Sequence, residues 1–302
     1  MNRSNFNRFI PAAIFGFFAA RFLYEVDPIH LTVLGDWPGT LGLAAFSVLA
    51  FFLLQFVARR FHISLSKFSL SPLYALLIYI LWPQVDLRFA LILLLGTIFL
   101  TVHKIILSTD RLALITVGSI VFILYLLTLG DHVGRADTFE FQVVAPQLGI
   151  AHPTGYPLFI LIGKLFSFMP IGSMAWRINL TSAIFGAVAV VLFYQLIVVL
   201  LNHCFIQVDP LNVRLTAAIA AIALAASNVF WSQAVIAEVY ALDAMLVAII
   251  LTLLVKLIVG PSSVKTVYVL MLVWGLAFTH HLNSIILLPA IFLTLILARR
   301  TF

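Results

Sequence analysis

An all-α polytopic membrane protein, a bundle of about ten transmembrane helices, is the fold class this sequence predicts, on three observations. Of its 302 residues, 64% are hydrophobic and only 9% charged, whereas soluble domains carry about 25% charged residues. Mean hydropathy is +1.18. The apolar runs recur along the whole length as continuous stretches, not as the short alternating segments of a β-barrel. The single cysteine, Cys204, excludes an internal disulfide and a cysteine metal site. The net charge of +6 is spread over dispersed basic residues, which fits Lys and Arg in cytoplasmic loops and argues against a nucleic-acid partner.

A helical span takes about 20 apolar residues. Runs of that kind fall near 9–25, 39–58, 70–85, 88–107, 112–130, 177–201, 213–230, 237–259, 264–280 and 282–298. Arg21, Glu25 and Asp27 follow the first run without a small-residue cleavage pattern, so it reads as a membrane helix and not as a removed leader. The third run is short and begins near Pro72. With the N-terminus inside, the inner side holds Arg3, Arg8, Arg59, Arg60, Lys67, Lys104, Arg111, Arg214, Lys256, Lys265, Arg299 and Arg300. The outer side holds only Arg21, Arg88, Arg135, Lys164 and Arg177. This asymmetry sets the orientation.

The segment Tyr156–Met169, between Pro157 and Pro170, has too few residues to span. As a helix it reaches about 21 Å, against a hydrocarbon core of about 30 Å. It is predicted to lie as an interfacial helix in the main outer loop, 131–176. The acidic residues then gather outside: Glu25, Asp27, Asp36, Asp86, Asp131, Asp137, Glu140 and Glu238, with Asp243 about a turn deeper. Acidic residues have little influence on orientation, so their skew calls for a functional cause.

Three polar clusters share that side. Asp137 and Glu140, three apart, fall on one helix face and can divide the work of a general base and an orienting group. The plainer reading is a solvated acidic loop, but Phe139, Phe141 and Val143-Val144 would press this turn against the bilayer. His152-Pro153-Thr154-Gly155-Tyr156-Pro157 is a rigid turn that either starts the interfacial helix or holds an imidazole and a phenol over the surface. Arg177 and Asn179 open the next span; the Arg either snorkels or holds a phosphate with its planar fork, and Lys164 is a second candidate. In the second cluster, Trp231 and Tyr240 suit interfacial anchoring, whereas Glu238 and Asp243 at the head of an apolar helix point to a cavity or a partner. His280-His281, followed by Asn283, forms the third cluster and suits hydrogen bonding to a sugar or phosphate. No metal-ligand spacing motif is present, so no metal site is assigned; a divalent cation is compatible with the carboxylates but unsupported.

From about residue 112 to 298 the chain resembles glycosyltransferase family 117, formerly a domain of unknown function, whose members resemble protein O-mannosyltransferases. Asp137–Phe141, Leu148–Leu158, Trp176–Leu180, Trp231–Gln233, Glu238–Tyr240 and His280-His281 carry the likeness, in the same order. Phe139 stands where the family usually has Gly before the Glu. Family members tend to continue beyond the point where this chain stops. The resemblance implies a GT-C bundle whose first large outer loop carries an acidic catalytic residue. It also implies a polyprenyl-phosphate-linked sugar as donor.

The resulting expectation has two parts: 1–108 adds membrane helices of unassigned role, and 109–302 is the glycosyltransferase core. It would be a multi-pass enzyme, in the plasma membrane if prokaryotic, moving a sugar such as mannose to a hydroxyl of a protein or glycan on the extracytoplasmic face. Asp137 would be the general base and Glu140 its orienting group. Arg177 and one of His280 or His281 would hold the phosphate, and His152, Tyr156, Asn179, Glu238 and Tyr240 would shape the substrate pocket. A transporter or lipid flippase, with charges lining a path across the membrane, and a non-catalytic assembly subunit are the alternatives.

Overall fold

The computed structural model describes residues 3–60, 70–204, 208–260 and 263–298. Among these residues every regular element is a helix. The chain divides into two compact units, Met1–Ser108 and Thr109–Phe302. The inner-loop residues Lys67, Arg299 and Arg300 lie outside the described residues.

In the first unit, α1 (Arg3–Val26) and α2 (Trp37–Arg60) pack side by side. A Cβ on Gly16 would fall 2.5 Å from the Ala44 Cα, so only hydrogen fits at this crossing. A 3₁₀ turn, Ser71–Ala75, runs into the short α3 (Leu76–Ile80), and α4 (Leu87–Ile106) follows. Arg21 on α1 donates to the carbonyls of Tyr79 at 2.7 Å and Ile80 at 2.9 Å and pairs with Glu25 at 2.7 Å. It thus satisfies the open carbonyl end of α3 with a cation, the sign that end favours. The Tyr79 hydroxyl donates to the same Glu25.

The second unit holds α5 (Asp110–Leu127), α6 (Ala136–Gln147), α7 (Pro157–Ser167), α8 (Met174–Cys204), α9 (Pro210–Ala226), α10 (Asn228–Ala234), α11 (Tyr240–Val259), α12 (Val264–His280), a 3₁₀ turn (Leu282–Leu287) and α13 (Leu288–Ala298). Thr109 starts α5 by accepting from the Leu112 amide, and Asp209 starts α9 by accepting from Leu211. Asp110 pairs with Arg214 at 3.2 Å, which brings the starts of α5 and α9 together. At the opposite end Tyr125 donates to the Ala225 carbonyl and the Trp231 indole to Thr128. These two helices therefore run parallel, as the threading from the inside predicts. α8, the longest helix, packs on α5, α9 and α11.

Among the described residues six helices are long and apolar enough to cross a membrane, and a seventh crossing follows if α9 and α10, bent by 68° at their junction, count as one. This is a multi-pass membrane protein; by length and composition the described residues do not reach the expected count of about ten spans. The run at 70–85 yields only a ten-residue apolar segment, Ser71–Ile80, reaching about 18 Å. The last two runs give Val264–His280 and Leu282–Ala298, of 17 residues each, and the second of them begins as a 3₁₀ turn. The helix foreseen at 156–169 is α7; it has 11 residues, too few to span.

Candidate functional site

The site forms where α6, the 148–156 turn, the segment before α11 and the end of α12 converge at one end of the second unit. Its backbone is held in rarely used conformations. Ala136, directly before Asp137, has φ +50°, Leu148 has +55° and Tyr156 has +43°. Each left-handed non-glycine residue costs of order 1–3 kcal/mol, and such strain gathers at functional sites. Gly155, at φ +86°, takes the one position in that turn that a side chain resists most.

Asp137 stands exposed in the first turn of α6. No hydrogen bond or ion pair engages its carboxylate among the described residues. Glu140, one turn on, accepts two hydrogen bonds from His152, from the amide at 2.7 Å and from the ring Nδ1 at 2.6 Å. That pairing holds the Glu140 carboxyl below its ordinary range and raises the His152 imidazole above its own. Asp137, Glu140 and His152 each present an oxygen or ring nitrogen within 4.8 Å of the others. Such donors suit a cation, but the Nδ1 and the carboxylate here are already spent on each other.

Glu238, half-buried, accepts from the Thr138 hydroxyl at 3.0 Å. Ser182 fixes its backbone by donating to the Glu238 carbonyl and accepting from its amide. Burial pushes the Glu238 carboxyl upward, partly offset by the Thr138 bond, and the Asp137 charge adds to the rise. Around these groups lies an aromatic wall. The Tyr156 ring is 5.2 Å from His152, 5.6 Å from Phe141 and 5.8 Å from His281, and Tyr240 is 6.3 Å from His281. Beside it, Leu224, Val229, Phe230, Tyr240, Ala241 and Ala244 line an apolar groove of about 550 Å³.

The structure gives several expected site residues a different task. Arg177 donates through Nε to Ile171 and Gly172, through Nη1 to Ser167 and through Nη2 to Gly172. Its guanidinium ties the end of α7 to the turn before α8, leaving two of its five N–H groups without an acceptor among the described residues. Lys164 likewise donates to the Pro146 carbonyl at 2.6 Å. Asn179 is 1% exposed. It donates to the Gly130 carbonyl at 2.7 Å and accepts from Gln142 and from the Ala237 amide, both at 2.8 Å. It is a buried joint between three segments and has no surface for a substrate. The two histidines part company. His280 is fully buried, its Nε2 donating to the Val239 carbonyl at 3.0 Å, while His281 faces Tyr156 and Tyr240. Thr138, Gln142 and Ser182 were not foreseen. Polar residues recurring at helical spacing in apolar helices, Thr138 with Gln142 and Asn179 with Ser182, were the available signal.

Fold and site together define a multi-pass helical membrane protein with carboxylates, imidazoles and aromatic rings gathered at one end of its second unit. The chain belongs to the family described as the protein O-mannosyl-transferase TMEM260 N-terminal domain, which matches residues 137–301. It is 34% identical over 134 residues to the protein O-mannosyl-transferase TMEM260 of Mus musculus, across 44% of this chain and 18% of the mouse protein. With the protein O-mannosyl-transferase tmem260 of Dictyostelium discoideum it shares 31% identity over 134 residues, across 43% of this chain and 15% of the relative. The chain thus aligns with under a fifth of either relative's length. No solved structure matches it.

Proposed function

We propose that this chain carries the catalytic membrane site of a mannosyltransferase that moves the sugar from a polyprenyl-phosphate donor to a hydroxyl of a protein acceptor on the extracytoplasmic face. The observation that carries this reading is Asp137, an exposed carboxylate without a partner among the described residues, set beside an aromatic wall and an apolar groove at the same end of the bundle. The names of the family and of its mouse and Dictyostelium members supply mannose and a protein acceptor as the substrate classes.

In this mechanism Asp137 takes the proton from the acceptor hydroxyl as its oxygen attacks the anomeric carbon. The bond from that carbon to the phosphate oxygen breaks, and its electron pair leaves with the polyprenyl phosphate. Tyr156, His281 and Tyr240 offer ring faces to the sugar, and the apolar groove beside Tyr240 accommodates isoprenoid chain. The architecture that goes with this reading is a GT-C bundle in which α12 and Leu282–Ala298 also cross, at the short end of the tolerated range of about 17–25 residues. Asp243, whose Oδ1 is buried without a partner among the described residues, lies one turn into α11 at the same end. In this reading it is grouped with the site. The test is transfer from a polyprenyl-phosphate mannose to an acceptor peptide. Asp137→Asn should abolish transfer while the protein stays folded; undiminished transfer removes Asp137 from the mechanism.

A further inference from the structure

A lipid-linked donor brings a phosphate whose negative charge grows as the sugar leaves, and such charge needs a fixed donor beside the reacting centre. Several basic groups around the site are engaged with backbone, while Arg135, at the start of α6, is exposed and has no partner among the described residues. Arg177 and Lys164 hold backbone carbonyls. His280 is buried on Val239. The Nδ1 of His281 accepts from the Asn283 amide at 3.1 Å. His152 is the contrast. Its Nδ1–H points at the Glu140 carboxylate, its side chain is 35% exposed, and its Nε2 has no partner among the described residues.

We propose that His152, bonded through Nδ1 to Glu140, is the group that binds the donor's phosphate through Nε2–H. The assignment rests on the transferase reading above. The carboxylate fixes the ring's orientation and stabilises its charge, as a second partner does for an imidazole at many functional sites. Asp137 lies within the same cluster, so the attacking hydroxyl and the departing phosphate meet where α6 and the 148–156 turn converge. The ring donates a hydrogen bond as the phosphate acquires its second negative charge, and no proton need leave it. The groups facing the ring are Glu140 and Asp137 from α6, Glu238 from the segment before α11, Tyr156 from its own turn and, across Tyr156, His280 and His281 from the end of α12. The Glu140 hydrogen bond dominates and raises its proton affinity; burial opposes, and the three carboxylate charges add to the rise.

The experiment measures binding of farnesyl methyl phosphate to the full chain in lipid nanodiscs from about pH 5 to about pH 9, a range in which the probe's single charge does not change. Wild-type affinity should be highest at low pH and fall about tenfold as pH rises through the elevated His152 value, the scale of one charge-assisted hydrogen bond. His152→Gln should bind weakly at every pH. Glu140→Gln should keep a pH dependence but move its midpoint down, because the group that raises His152 is gone. A flat wild-type profile, wild-type affinity in His152→Gln, or an unmoved midpoint in Glu140→Gln overturns the assignment; the last outcome decides even where His152→Gln fails to fold. If the folded wild-type chain binds no probe at all, the transferase reading falls with it. Binding that ignores His152 while transfer still requires Asp137 removes this proposal alone.

Discussion

At the scale of single residues the site is governed by two hydrogen-bonded groupings. Asn179 leaves no polar atom of its amide unused, and Asn179→Leu would strand the Gly130 carbonyl, the Gln142 amide and the Ala237 N–H in the interior. Each buried group so stranded costs about 1–3 kcal/mol, so a loss of about 3 kcal/mol or more is expected in denaturant unfolding of the purified protein. The Glu140–His152 pair gives a pH signature. His152 is raised in the fold, so its contribution to stability is complete below its ordinary 6.5 and fades as pH climbs through the raised value. Glu140 is lowered, so its contribution is complete above its ordinary 4.5 and fades as pH falls through the lowered value. The difference in melting temperature between wild type and Glu140→Gln should therefore be largest between pH 4.5 and 6.5 and shrink on either side. The residue types at the site were legible in the sequence because carboxylates and imidazoles stand out in an apolar chain. Their roles were not. Whether Arg177 reaches a ligand or a carbonyl is decided by where the turn at 167–172 ends, and residue type cannot convey that.

At the scale of elements, α6 and α7 form the platform for the turn that carries Asp137, and their contact depends on Gly163. A Cβ there would come within 2.8 Å of the Ala145 Cβ. Gly163→Leu should cost about 1–3 kcal/mol in overpacking and lower transfer by displacing α6, although Asp137 itself is untouched; a chemical melt and a transfer assay read the two effects separately. Arg177→Gln, which releases the turn between α7 and α8, is expected to lower the melting temperature while leaving the midpoint of donor binding against pH unchanged. Element positions were well marked by the apolar runs. Lengths were less so. The run at 70–85 shrinks to Ser71–Ile80 because Pro72 starts a 3₁₀ turn and Arg21 closes α3 at Ile80, and the run at 213–230 breaks where the chain turns extended at Ser227. Neither event leaves a trace in hydropathy.

At the scale of the whole molecule, the parity of crossings decides whether a common pocket exists. The bonds from Thr138 to Glu238, from Asn179 to Ala237 and from His280 to Val239 bring all three polar clusters to one end of the second unit. The Asp110–Arg214 pair marks the other end. In a Cys204→Ser background, single cysteines at Asp137 and Tyr240 should react with an impermeant maleimide from outside intact cells. A cysteine at Asp110 should react only after the cells are opened. Labelling of the 137 and 240 positions from different compartments would separate the groups that must meet.

The tie among Gly130, Gln142, Asn179 and Ala237 has a consequence for how variants of this protein present themselves in a cell. One amide joins three stretches of chain in the interior. A lesion there and a lesion at Asp137 would both read as zero product. They part in protein abundance: the first chain is cleared by quality control, whereas the second accumulates at normal levels as an inert passenger in the bilayer.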